Sequence, residues 1–308
     1  MNVGSANTWA IEAADRHELS DSVSGRLYEI GVALPASYAA TERHYPAVVV
    51  LDGNLCFGIA SDVARLQAAT GETAELIVIG IGTPRREGLA AYSLKRLRDL
   101  TPTVPSLEGS DSGIIRLLLA RITAAGLAPQ QAFGGADTFL AFLTTQMLPF
   151  LAARYRIDSE ELGLFGHSAG GVFAMHALLT PGSPFTHFTA GSFPGSWLGD
   201  GVAARIDAFR HRDAGRHLRL YYGVGGAELD DEAIAPGLRM GIGFLERLAA
   251  PPCDGLDLMM RTYPDETHTS VMAALLSSAF RWHYSTGLSY SQAAMARASA
   301  VSATVPPR

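Results

Sequence analysis

Three residues in one order could do chemistry together: Ser168 inside Gly166-His167-Ser168-Ala169-Gly170, Glu228 inside Gly225-Gly226-Ala227-Glu228-Leu229-Asp230-Asp231, and His268 inside Glu266-Thr267-His268-Thr269. That chemistry is nucleophilic acyl transfer. A serine hydroxyl attacks poorly at neutral pH, so it needs a base within hydrogen-bond reach and a third group that fixes the base's tautomer. Histidine is the natural base and a carboxylate the natural third group. The developing oxyanion then needs donors, one from the amide after the nucleophile, here Ala169, and one from a loop after an early strand. Leu51-Asp52-Gly53-Asn54 follows such a strand, which makes the Asn54 amide the first candidate and Gly53 the second.

The elements that must position these residues are readable around them. Glu161-Leu162-Gly163-Leu164-Phe165 is a short apolar run with the character of a buried strand, and the residues from Gly171 to Leu179 continue as a helix. A serine between them would sit on a sharp strand-to-helix turn, where Gly166 and Gly170 are expected because a Cβ at either position would have no room. Gly171 would let the helix lie close to the sheet. His268 lies in a loop between a strand over Leu256–Tyr263 and a helix over Val271–Phe280. Glu228 is the first carboxylate beyond a strand over Leu218–Val224, with Asp230 and Asp231 as substitutes. The order serine, acid, histidine is that of nucleophile-elbow hydrolases.

Among the nine histidines the others fit less well. His176 falls within the nucleophile helix and His167 on the turn, both suited to structural roles. His44, His187, His211, His217 and His283 are expected at solvated or capping positions.

The rest of the chain reads as one α/β domain over residues 1–308. Gly25–Pro35 alternates polar and apolar residues, as a strand at an antiparallel sheet edge would. Tyr45–Leu51 and Glu75–Ile81 are nearly continuous in apolar, β-branched residues, the mark of parallel strands buried on both faces. With a helix over Asp62–Ala69 between them, strands and helices alternate, which predicts a mostly parallel central sheet with helices on both faces. A helical pattern from about Ile114 to Ala125, with Ile115, Leu118, Leu119 and Ile122 on one side, falls inside the segment 103–133. Two readings stand for it: a surface helix packed on the core, or a small cap over the site. Phe139–Tyr155 reads as one long helix, and residues 299–308 as a frayed tail.

Composition narrows the function. The chain has 308 residues, 48% hydrophobic and 18% charged, enough to bury a sizeable core. A net charge of -6, with the arginines between Arg205 and Arg219 interleaved with Asp207 and Asp213, offers no basic stripe for nucleic acid. The sequence has no run of 18 or more apolar residues to span a bilayer, and Met1–Asn7 lacks the features of a signal peptide, so a cytoplasmic location is expected. Cys56 and Cys253 are expected to be buried thiols. They lack metal-ligand spacing, and no metal or nucleotide motif implies a cofactor. The partner expected is a small-molecule ester, and the sequence carries no signal for an oligomeric state.

These motifs resemble those of the putative-esterase family of α/β-hydrolases, whose members include siderophore trilactone esterases, S-formylglutathione hydrolases and mycolyltransferases. The matching pieces are Leu51-Asp52-Gly53-Asn54, Arg98-Asp99-Leu100-Thr101-Pro102, Gly134-Gly135-Ala136-Asp137-Thr138-Phe139, Tyr155-Arg156-Ile157-Asp158, Gly166-His167-Ser168-Ala169-Gly170-Gly171 and Glu266-Thr267-His268. They run over most of the chain, and their joint order is more specific than any one of them. Within the family the chain is most similar to the enterobactin-esterase-like branch. That resemblance implies a glutamate after the penultimate strand, in line with Glu228, and a substrate side lined by the sequence around Ser196-Trp197, with Trp197 as a pocket wall. The length of 103–133 departs from the commoner family pattern. The function expected is a serine carboxylesterase working through an acyl-enzyme. An esterase specific for siderophore trilactones, an acyltransferase and a noncatalytic binding protein are the alternatives.

Overall fold

The central strands place successive side chains on opposite faces, so their unbroken apolar sequence feeds two cores at once. Ala47, Val49 and Leu51 enter one cluster while Val48 and Val50 enter the other. The structure, a computed structural model, describes residues 14–105, 112–124, 126–212, 215–289, 291, 292 and 295. The first residues and the tail expected to fray, 299–308, lie outside the described residues, as does Ala125.

Eight strands form one sheet: β1 (Ala14–Ser20), β2 (Leu27–Ala33), β3 (Tyr45–Val50), β4 (Ile77–Gly82), β5 (Ile157–His167), β6 (His187–Gly191), β7 (Leu218–Gly225) and β8 (Leu256–Tyr263), in the order β1-β2-β4-β3-β5-β6-β7-β8. β1, β2 and β4 pair antiparallel, and every pairing from β4 through β3 to β8 is parallel. Ten α-helices accompany them among the described residues: α1 (Gly53–Thr70), α2 (Gly88–Leu100), α3 (Ser112–Ala124), α4 (Pro129–Ala132), α5 (Ala136–Phe142), α6 (Leu148–Ala152), α7 (Ala169–Leu178), α8 (Val202–Arg210), α9 (Ala235–Ala249) and α10 (Val271–Tyr284). α1 and α10 cover one face with Ala60, Ala64, Leu275, Leu276 and Phe280. The other face takes Phe139 of α5, Phe173 of α7, Ile206 of α8 and Leu245 of α9. This is the α/β-hydrolase fold, with no helix among the described residues long and apolar enough to cross a membrane.

Several elements differ from the sequence expectation. The outermost antiparallel strand is β1, with the alternating β2 one place inside it. β6 has only five residues and includes His187 and Thr189, too short and too polar to read as an apolar run. α2 opens on a glycine and carries Lys95, Arg96, Arg98 and Asp99, which mask its helical period. Phe139–Tyr155 is not one regular helix: α5 passes into α6 through a π-helical turn over Leu143–Met147. Pro149 gives the reason, because it has no N–H for the carbonyl four residues earlier, and a wider turn re-forms the ladder. Cys56 and Cys253 are both buried free thiols.

Candidate active site

The parallel strands end along one edge of the sheet, and the loops beyond β5, β7 and β8 carry Ser168, Glu228 and His268. Ser168 closes β5 with φ 60° and ψ -122°, in the left-handed half of backbone space that a side chain rarely enters. The surroundings impose that conformation: its N–H donates to the Gly191 carbonyl at 2.8 Å, and its own carbonyl accepts from Val172 in the first turn of α7. A Cβ on Gly166 would lie 2.0 Å from the Gly170 carbonyl oxygen, so the turn can form only with glycine there. Gly170 does not share this constraint, contrary to expectation, since its Cβ would rest 3.6 Å from Leu51 in ordinary contact. At Gly171 a Cβ would meet the Gly191 carbonyl at 2.6 Å, which ties the close approach of α7 and β6 to that glycine. Gly166→Ala should therefore destabilise the fold by about 3 kcal/mol or more, while Gly170→Ala should stay within about 1 kcal/mol. Urea unfolding of the two variants checks the contrast, and equal midpoints would refute it.

Beyond β7 the chain makes a single 3-10 turn, Gly226–Leu229, that brings Glu228 inward to 2% exposure. One carboxylate oxygen accepts from Ser192 Oγ at 2.7 Å and from the Gly225 N–H at 2.8 Å. The other meets His268 Nδ1 at 2.5 Å. Asp230 and Asp231 remain exposed, and Asp231 accepts from the Ala233 amide. His268 is half-buried and lines, with Ser168, a cleft of about 650 Å³. Sequence reasoning passed over Ser192, because it follows the unrecognised β6.

α2 and α3 wall the cleft with Leu94, Leu97, Leu118 and Ile122 and add two cations, Arg96 and Arg121. The segment 103–133 thus sends α3 to the candidate site, and Ile115 and Ile122 anchor that helix in the core. Asp52, in a left-handed conformation before α1, receives the Tyr92 hydroxyl at 2.9 Å and Arg96 Nε at 2.8 Å. Asp52 and Leu55 line the cleft, whereas Gly53 and Asn54 line a separate one with Gly80 and Gly82 of β4. The Asn54 side chain is bound to Thr83, accepting from its N–H at 2.7 Å and donating to its carbonyl at 2.8 Å. The amides of Gly53 and Asn54 nevertheless open α1, as that of Ala169 opens α7, at positions that no intrahelical carbonyl serves.

With this geometry in place, comparison with known proteins is informative. The family model described as Putative esterase matches residues 123–237, a span that includes Ser168 and Glu228. The ferri-bacillibactin esterase BesA of Bacillus subtilis is 26% identical over 286 residues, covering 91% of this chain and 93% of that protein. The siderophore enterobactin esterase of Emericella nidulans is 34% identical over 182 residues, covering 55% of this chain and 54% of that one. Among solved structures, the siderophore hydrolase EstB from Aspergillus nidulans has a TM-score of 0.74 at 25% identity, covering 93% of this chain and 99% of that chain. The chain resembles the putative-esterase family of α/β-hydrolases.

Trp197 is not among the residues that line the cleft described above. It is buried to 8% exposure in a short turn after β6, with its ring edge-on to Phe133 at 6.5 Å, as a core aromatic. Two histidines expected at solvated positions are also buried. His187 opens β6 and His283 lies in the last turn of α10, their rings edge to face at 5.3 Å and His283 Nε2 3.1 Å from Thr189 Oγ1. Burial lowers the pKa of His187 to about 4 and that of His283 well below its ordinary value. His44, His211 and His217 are exposed, as expected. His176 is buried in α7, with Nε2 2.9 Å from Asp137, and its pKa falls to about 4. His167 is buried next to Ser168 in the chain with its ring 4.7 Å from that of His268, and burial, then the neighbouring His268 and Arg96, lower its pKa to about 3. His167 is therefore neutral. One of its ring nitrogens, a carboxylate oxygen of Glu228 and a ring nitrogen of His268 all lie within 4.8 Å of one another.

Proposed function

We propose that this protein is a serine carboxylesterase that works through an acyl-enzyme, with Ser168 as nucleophile, His268 as base and Glu228 as the group that orients the base, and that its substrates are ester-linked siderophores. The observation that carries the reading is the 2.5 Å contact between Glu228 and His268 at a cleft that Ser168 shares. With Nδ1–H committed to Glu228, the lone pair of His268 Nε2 is left to accept the serine proton. The serine oxygen attacks the ester carbonyl, His268 returns the proton to the leaving alcohol, and water repeats the sequence on the acyl-enzyme. Glu228 stabilises the imidazolium without itself taking the proton. The Ala169 amide serves the oxyanion, with Asn54 or Gly53 at the start of α1 as the second donor.

The siderophore part of the reading is supported by the bacillibactin and enterobactin esterases that the chain resembles. A cleft of about 650 Å³ with apolar walls and the Arg121 guanidinium, Arg96 being paired with Asp52, suits a bulky, anionic ester. The test follows hydrolysis of a catecholate trilactone by liquid chromatography beside p-nitrophenyl esters of increasing acyl length. The expected result is trilactone turnover with a higher kcat/KM than any p-nitrophenyl ester. Arg121→Glu should lower that value about tenfold for the anionic substrate and leave neutral esters unchanged. Turnover of p-nitrophenyl esters alone would leave a general carboxylesterase and remove the siderophore assignment.

A further inference from the structure

His167, Glu228 and His268 together form a ligand set of which the proposed hydrolysis uses only Glu228 and His268. Two imidazoles and a carboxylate are the donors of one common class of zinc centre, in which three protein ligands leave a fourth position for water. Here one donor atom from each residue lies within 4.8 Å of the other two. His167 is 6% exposed, and its Nε2 has no hydrogen-bond partner among the described residues, which is costly for a buried polar atom. Nothing in the proposed catalytic cycle uses that atom. Glu228 is 1% exposed at its side chain and supplies negative charge at low local dielectric, while His268 opens the group to the cleft at 40% exposure. A cation therefore has both an entrance and a buried end to bind.

We propose that this corner of the cleft is a site for a zinc-class divalent cation, held by His167, Glu228 and His268, and that its occupancy switches hydrolysis off. Imidazole and carboxylate together select zinc, copper(II), nickel or cobalt over magnesium and calcium, which prefer all-oxygen shells. Seating the ion parts His268 from Glu228 somewhat beyond their present 2.5 Å. Either way of using the ring disables the base. Coordination through Nδ1 replaces the proton shared with Glu228, which leaves to solvent, and coordination through Nε2 occupies the lone pair that would take the serine proton. The ion is thus an inhibitor bound in competition with the catalytic arrangement. Only the inhibition rests on the proposed function; the binding rests on the geometry of the three residues.

Cobalt(II) titrated into the protein tests the binding, since its visible absorption reports a four- or five-coordinate site. Wild type and Ser168→Ala should both develop the bands, and His167→Gln and Glu228→Gln, each checked for folding by circular dichroism, should not. Zinc chloride should inhibit ester hydrolysis by wild type reversibly, with activity restored by a chelator. His167→Gln, compared with its own metal-free rate, should need at least about tenfold more zinc for half-inhibition. Equal zinc sensitivity in wild type and His167→Gln, or no cobalt bands in wild type at millimolar metal, would overturn the proposal. Cobalt bands in a wild type without ester hydrolysis would keep the site and remove the catalytic reading instead.

Discussion

Ser168→Ala should lower turnover of every ester substrate by roughly 10⁴- to 10⁶-fold, with little change in KM or in thermal stability. Loss of the nucleophile removes the covalent path outright, which is why the expected effect exceeds that of any change in the cleft walls. Stability should hold because the strained backbone at this position is imposed by the hydrogen bonds at Gly191 and Val172, not by the hydroxyl. An alanine pays the same conformational cost as a serine in that region. A residue of ester cleavage from binding and oxyanion donors is expected to remain, slow and insensitive to serine-reactive phosphonates. Intact mass spectrometry after phosphonate treatment should place one adduct on wild type and none on the variant. Undiminished hydrolysis by Ser168→Ala would sink the assignment of this residue.

A second large effect is expected on acidification. Four buried histidines, His167, His176, His187 and His283, have pKa values lowered by burial from the ordinary 6.5 to about 3, about 4, about 4 and well below 6.5. The unfolded chain binds protons at these side chains from pH 6.5 downward while the folded chain does not. Their stabilisation is thus complete above 6.5 and is lost as pH falls from there toward the folded-state values. Each group contributes about 1.4 kcal/mol per pH unit, so the four together remove about 5 kcal/mol by about pH 5.5. That is comparable with the whole stability of many domains. Asp99 works in the opposite direction: burial raises its pKa to about 6 despite its bonds to Tyr28 and Arg26, so it takes up its proton first in the folded state. One such group offsets only part of four. Cooperative unfolding by circular dichroism is expected near pH 5, and His187→Gln should move the midpoint lower. A urea midpoint that is the same at pH 5.5 as at pH 7.5 would show the histidine account to be wrong.

How much of this was readable in the sequence depends on how local each constraint is. The turn at Ser168 is set by five consecutive residues, and the positions of Glu228 and His268 follow from strands long and apolar enough to recognise, so the candidate site is legible in chain order. The Glu228 bond to Ser192 is not, because it joins residues 36 apart after a five-residue strand whose histidine and threonine hide its character. Nor is the pairing of Asp52 with Arg96, 44 residues apart, which depends on α2 crossing the mouth of the loop after β3. The parallel centre of the sheet was readable because strands buried on both faces exclude polar side chains. The edge strand β1 was not: its pattern of half-buried and exposed positions, with Asp15, Arg16, His17 and Glu18, resembles any polar surface segment. His187 and His283 show the limit of reading residue types one at a time, since each is sheltered by the other's element.

Glu228 meets three donors, two on one oxygen and His268 on the other. A carboxylate held at three points cannot turn about its last bond without breaking at least one of them. When a positive charge forms on the neighbouring ring, the negative charge that answers it is therefore already aligned, and no dipole has to swing into place during the reaction. In water most of the cost of creating such a charge pair is spent on reorienting solvent. In this fold that reorientation is done once, as the chain folds, and every turnover of the proposed cycle would start from it.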